Sequence, residues 1–222
     1  VGSEMCIRDR SLDAAVKGAD ANSASALSSE LFFVADVLST NIAVRRALTD
    51  PSRDGKAKAA LISDLLGKKI GALALGLVTE LSSLRWSSPK DLVLVVEQLA
   101  IEAEASAANI AGELDRVEDE FFTAATAFAS SSELRKALTS DATNAKATLV
   151  ADILKGASGS TVKLVSQMVN AWRGRSIESA FADYQWALAA RRNRVIALVR
   201  VAAPITPAQL DRLTTSLTSK VG

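Results

Sequence analysis

Arg45-Arg46-Ala47-Leu48-Thr49 returns ninety residues later as Arg135-Lys136-Ala137-Leu138-Thr139, and this recurrence decides how the chain divides. Upstream, Glu30-Leu31-Phe32-Phe33 returns as Glu120-Phe121-Phe122-Thr123 at the same offset. Past the next loop the offset is 88: Lys58, Ala59, Leu61, Asp64 and Leu66 match Lys146, Ala147, Leu149, Asp152 and Leu154. Arg85 and Ser88 then match Arg173 and Ser176. A collinear series with two residues lost from one loop is the pattern of duplicated, diverged modules.

Each module reads as a run of short helices. Leu27, Leu31, Val34 and Leu38 share one helical face. A short helix around residues 44–48 ends near Asp50-Pro51, because the residue before a proline is biased away from helix. Leu61, Leu65 and Leu66 mark the next helix, with Gly67 as its stop, and Leu77, Leu81 and Leu84 mark another. Ser88-Pro89 supplies an N-cap and a first-turn proline for the helix of Leu92, Val95, Val96 and Leu99. The second module repeats this with Phe121, Phe122 and Phe128, then Leu134 and Leu138. Leu149, Val150, Ile153 and Leu154 follow, with Gly156 as the stop. Val162, Val165, Val169 and Trp172 form a further stripe, and residues 177–192 a last helix.

The expected fold is therefore mainly α. The first bundle module covers residues 11–105 and the second 106–194. The Ala- and Glu-rich stretch 100–114 predicts a continuous helix between them. Residues 195–201 (VIALVRV) are β-branched and read as a strand. Thr206-Pro207-Ala208-Gln209 is a capping box that opens an amphipathic helix with Leu210, Leu213 and Leu217. Residues 195–222 thus read as the beginning of a small α/β domain, truncated at Gly222. The first ten residues, VGSEMCIRDR, fit nothing that follows and read as a non-native leader.

Composition narrows the function. The 26 basic and 25 acidic residues leave a net charge of +1, so bulk charge makes no case for nucleic acid or an anionic membrane. The chain has no histidine and one cysteine, which excludes histidine-based triads and zinc sites, and an intrachain disulfide. Aromatic content of 5% with abundant alanine favours closely packed helices. No apolar run approaches the roughly 20 residues that span a bilayer, so no direct membrane span is expected.

Chemistry-bearing motifs are few. Gly156-Ala157-Ser158-Gly159-Ser160-Thr161 lacks the lysine of a phosphate loop and reads as an interhelical turn. Glu118, Asp119 and Glu120 read as a solvated helix face. Arg191-Arg192-Asn193-Arg194 suits a helix C-terminus, with an acidic protein partner or a phosphate backbone as alternatives. Trp172 and Trp186 read as core or groove-lining, and Trp86 as partly exposed. No catalytic, cofactor or metal residues are expected.

Ser132-Glu133-Leu134-Arg135-Lys136-Ala137-Leu138, Ala145-Lys146-Ala147-Thr148-Leu149-Val150 and Trp172-Arg173-Gly174-Arg175 together resemble the N-terminal bundle of the delta (OSCP) subunits of F-type ATP synthases. The strand, proline and Thr-Pro-x-Gln-Leu helix of 195–217 are similar to the start of that family's C-terminal domain. The earlier copy, with Arg45 to Gly55, resembles the long actinobacterial type with a duplicated bundle. The resemblance runs from about Ser23 to the end and rests on order and spacing.

That resemblance implies a non-catalytic stator subunit on the cytoplasmic face of the membrane. Its bundles would hold the N-terminal helices of the alpha subunits, and its C-terminal domain the C-terminus of the b subunit. Val165, Val169 and Trp172, in the second module's fifth helix, would border the alpha-binding groove. A generic helical-repeat scaffold is the alternative, and a nucleic-acid binder using Arg191 to Arg200 a further one.

Overall fold

The computed structural model describes residues 12–139 and 143–191, with scattered positions from 206 to 216. After a helical stretch at 12–16 (α1) come α2 (Ala21–Thr40), α3 (Ile42–Thr49), α4 (Gly55–Leu66), α5 (Ala72–Ser83) and α6 (Pro89–Ile110). Then follow α7 (Leu114–Ser130), α8 (Ser132–Thr139), α9 (Thr143–Ile153), α10 (Gly159–Asn170) and α11 (Ile177–Ala190). The protein is mainly α, and no strand occurs among the described residues. The proposed strand at 195–201 and the leader at 1–10 lie outside them. Of the C-terminal segment, the reciprocal cap is present: Thr206 N donates to Gln209 Oε1 at 2.8 Å, and Gln209 N to Thr206 Oγ1 at 3.4 Å.

Recurring sequence makes recurring local structure. α3 and α8 end at Thr49 and Thr139, ninety residues apart as in the sequence repeat. Arg45 donates to the carbonyls of Leu38 and Ser39 at the end of α2, and Arg135 donates to Ala129 at the end of α7. Each arginine satisfies carbonyls that a helix end leaves without partners. Leu48 and Leu138, three residues further on, are both buried. Ser88 caps α6, in a capping box with Asp91 and Pro89 in the first turn, and Ser176 caps α11.

The long helices α2 and α6 lie antiparallel along each other: Ser25 meets Glu104, while Arg173 bridges Asp36 and Glu97. Small side chains, Ala24, Ser28 and Ala35 against Ala100, Ala103 and Ala107, are all buried. In the second half, Phe121 stacks on Tyr184 (centroids 5.8 Å) and packs against Phe181 (5.2 Å), tying α7 to α11.

Three expectations need correction. The helix through 100–114 is not continuous. It stops at Ile110, where Gly112 takes φ +73° and Glu113 N donates to Ala108 O at 2.8 Å, a left-handed turn that suits glycine. Leu65 is 39% exposed, and the inner face of α4 is made by Lys58, Ile62 and Leu66 instead. Lys58 reaches the carbonyl of Ser82 at 3.0 Å, so a lysine sits inside because it caps the end of α5. Glu120 is not on a solvated face. It accepts from Thr161 Oγ1 at 2.6 Å and Ser158 N at 2.9 Å, pinning α7 to the start of α10.

Candidate functional site: a buried ionic seam on helix α6

α6 carries three carboxylates that are almost wholly buried: Glu97 at 1%, Glu102 at 4% and Glu104 at 2% exposure. Burying a charge is costly unless it is paired and hydrogen-bonded, and the cations that pair with Glu97 and Glu104 come from the second half of the chain. Glu104 receives Lys163 Nζ at 2.7 Å and the hydroxyls of Ser160 (2.7 Å) and Ser25 (3.0 Å). Lys163 also donates to the Ser25 carbonyl at 2.6 Å, so it touches α2 and α6 together. Seven residues earlier, about 10 Å along the helix, Glu97 accepts Arg175 Nη2 on both oxygens, at 2.9 and 2.8 Å. Tyr184 adds its hydroxyl at 3.1 Å. Glu102 accepts from Gln98 at 2.9 Å on its own helix.

Lys163 comes from α10 itself, and the turn after α10 delivers Arg173 and Arg175. Arg173 has φ +53°, the left-handed region that a side chain occupies at a cost. Its guanidinium is held on three sides: Nη2 on Asp36 at 2.7 Å, Nη1 on the Ala35 carbonyl at 3.3 Å, and Nε 3.2 Å from Glu97. Electrostatics agree with this pairing. Burial lowers the Arg175 pKa, but Glu97 outweighs it, so the pKa lies above the ordinary value. Burial, then Glu97, push the Tyr184 phenol well above its ordinary value. Both stay protonated donors at neutral pH. At the far end of α6, Arg191 Nε donates to Ser106 Oγ at 2.6 Å and Arg191 pairs with Asp13 of α1.

Sequence reading missed Glu97 and Glu104, and took Arg173 only as part of the repeat and of a resemblance, and Arg175 only as part of the resemblance. The residues it did propose lie close by. Val165 and Val169 are buried at 0% and 1% exposure in α10. Trp172 follows the helix end, is half-buried against the core, and has an indole N–H with no acceptor among the described residues. Trp86 is half-buried, with its indole donating to Leu81 O at 2.9 Å, whereas Trp186 is 48% exposed. Trp186 borders a pocket of about 230 Å³ between α6 and α11 with Leu94, Gln98 and Asp183. Arg191 ends α11; the rest of the basic cluster lies outside the described residues.

No group of three acidic, cysteine or histidine side chains converges as metal ligands among the described residues. No single described helix is long and apolar enough to cross a membrane. Each half of the chain carries charges whose partners lie in the other half. Fold and seam together define a helical protein whose two halves are joined by buried ion pairs.

Comparison with known proteins gives that class its family. Residues 102–222 match the family model for the ATP synthase delta (OSCP) subunit. The chain is 41% identical over 202 residues to ATP synthase subunit delta of Streptomyces coelicolor, covering 90% of this chain and 74% of that one. It is 40% identical over 214 residues to the same subunit of Salinispora arenicola (95% and 78% covered) and 38% over 210 to that of Kineococcus radiotolerans (93% and 75%). The chain belongs to the ATP synthase delta (OSCP) subunit family: it is a non-catalytic, structural subunit of the enzyme's peripheral stalk. Membership decides against a generic repeat scaffold or a nucleic-acid binder.

Proposed function

We propose that the chain links the catalytic head to the membrane-anchored stalk. Its two helical modules, 11–105 and 106–194, descend from one duplicated bundle and hold N-terminal helices of the alpha subunits. The segment from 195 onward holds the C-terminus of the b subunit, on the cytoplasmic face of the membrane. The linkage resists the torque of rotation, so that proton flow drives synthesis instead of turning the head. The observation that carries this reading is the ionic seam, which ties both halves to one central helix. A stator transmits load, and a joint of buried ion pairs resists sliding better than an apolar contact because a shifted charge loses its partner inside the core. Matching arginine caps at Arg45 and Arg135 and matching serine caps at Ser88 and Ser176 support the duplication.

Of the three groove residues, Trp172 offers the accessible surface, and Val165 and Val169 back it from the core. The test is calorimetric titration of the chain with a synthetic peptide of an actinobacterial alpha subunit's N-terminal helix. Saturable micromolar binding with a negative heat-capacity change supports helix-in-groove recognition. Absence of heat with a folded, helical sample contradicts it.

A further inference from the structure

α5 and α10 hold matching places in the sequence repeat, and so do the turns that follow them. At the offset of 88, Leu84-Arg85-Trp86 corresponds to Trp172-Arg173-Gly174, and each turn leads to a serine that caps the next helix. The two arginines differ in what they hold. Arg173 is 5% exposed and reaches the Asp36 carboxylate and Ala35 carbonyl of α2 and the Glu97 carboxylate of α6. Arg85 is exposed, and among the described residues its guanidinium has no hydrogen bond or ion pair.

Two further differences between the turns favour an acidic ligand at Arg85. Where the second turn goes on to Glu178, 4.0 Å from Arg135, the first goes on to Lys90 at the matching position. Lys90 is exposed too, and its ammonium is unpaired among the described residues. The acid next to it, Asp91, is used inside the helix cap, where it accepts from Ser88 N at 2.9 Å. Two cations therefore stand at this rim without a counter-charge. Trp86 takes the place of Gly174, and its half-buried ring is fixed by the indole bond to Leu81 O. One exposed arginine is ordinary on a protein surface; one whose repeat counterpart lies buried on two carboxylates is not.

We propose that the turn after α5, with Arg85, Trp86 and Lys90, anchors an acidic segment of another subunit of the synthase. Arg85 takes a carboxylate of that segment as Arg173 takes Asp36, through the planar N–H fork that suits a carboxylate. Lys90 draws in further acids, and Trp86 gives the segment an apolar contact whose ring is already in place. Unpaired charge of one sign at a rim selects a partner of the other sign and speeds its arrival. The proposal rests on the reading of the chain as a stalk subunit, and assigns a residue and a charge to one of its contacts.

The test measures rebinding of the full chain to synthase stripped of its delta subunit, for the wild type and for Arg85→Gln. Arg85 makes no polar contact among the described residues, so the variant should unfold at the same urea concentration as the wild type. Its affinity should fall roughly tenfold at physiological salt, and the difference should shrink as added salt screens the pair. Lys68→Gln, an equal loss of charge just past the end of α4, should bind as the wild type does. In the assembled enzyme, a carbodiimide should couple the amine of the Arg85→Lys variant to an Asp or Glu of another subunit. Wild-type affinity in Arg85→Gln overturns the anchor while leaving the stalk reading intact, and so do equal losses in Arg85→Gln and Lys68→Gln. Coupling to Glu4 or Asp9 of the same chain, or to a second copy, also overturns it. Failure of the wild-type chain to rebind at all sinks the stalk reading and this proposal together.

Discussion

Arg175 Nη2 lies 2.8 Å from Glu97 Oε2, across 78 residues of sequence, and joins the turn after α10 to the middle of α6. The pair is nearly dry: the side chains of Glu97 and Arg175 are 1% and 13% exposed. Removing one partner of such a pair strands the other in the core. Glu97→Ala leaves Arg175 and the Tyr184 hydroxyl without their shared acceptor and takes from Arg173 the carboxylate 3.2 Å from its Nε. The expected loss is about 3–5 kcal/mol, read from urea denaturation with an unchanged slope. A loss below about 1 kcal/mol, the range of surface pairs, would show that the seam does not hold the halves.

Arg173 separates side-chain contact from backbone strain. Arg173→Ala loses the contacts to Asp36, Ala35 and Glu97 and keeps a Cβ at φ +53°. Arg173→Gly loses the same contacts but relieves the left-handed strain, worth roughly 1 kcal/mol. The glycine variant should therefore be the more stable of the two, the reverse of the order in a helix. Thermal or urea unfolding of both variants decides it.

Glu120 predicts a pH dependence. Burial pushes its pKa up, but hydrogen bonds from Thr161, Ser158 and Arg116 outweigh this and hold it below the ordinary 4.5. A carboxyl with a depressed folded pKa stabilises the fold above its unfolded pKa and stops doing so as pH falls through the folded value. The wild type's stability advantage over Glu120→Gln should be full at neutral pH and shrink steadily below 4.5. Denaturation of both proteins from pH 7 to pH 3 measures it (about four units across the titration), and a constant difference contradicts the assignment.

What the sequence makes legible here is local. Ser88-Pro89 fixes the start of α6, Asp50-Pro51 the end of α3, and Gly156, at φ +86°, the break before α10. The stripe Leu27, Leu31, Val34 and Leu38 marks the inner face of α2 because apolar spacing follows the helical period. The seam is not legible for the converse reason. Glu97 and Glu104 look like any solvated helix carboxylates, and their cations lie 78 and 59 residues away. Only tertiary packing shows that these charges are inside. Val165 and Val169 show the same limit, since an apolar stripe does not say whether the chain itself or a partner covers it.

Trp172 tests the partner surface apart from stability. Half-buried and beyond the end of α10, it should tolerate Trp172→Ala with a modest loss of stability and at least a tenfold loss of affinity for the alpha-subunit peptide. Unchanged affinity in a folded variant removes Trp172 from the groove.

The most direct measurement of the stalk role is ATP-driven proton pumping by membrane vesicles whose synthase has been stripped of its delta subunit. Adding this chain should restore pumping while leaving the rate of ATP hydrolysis nearly unchanged, because a stator couples rotation to transport without touching the chemistry. Pumping no better than with buffer, from a chain that is folded and bound to the enzyme, would contradict that role.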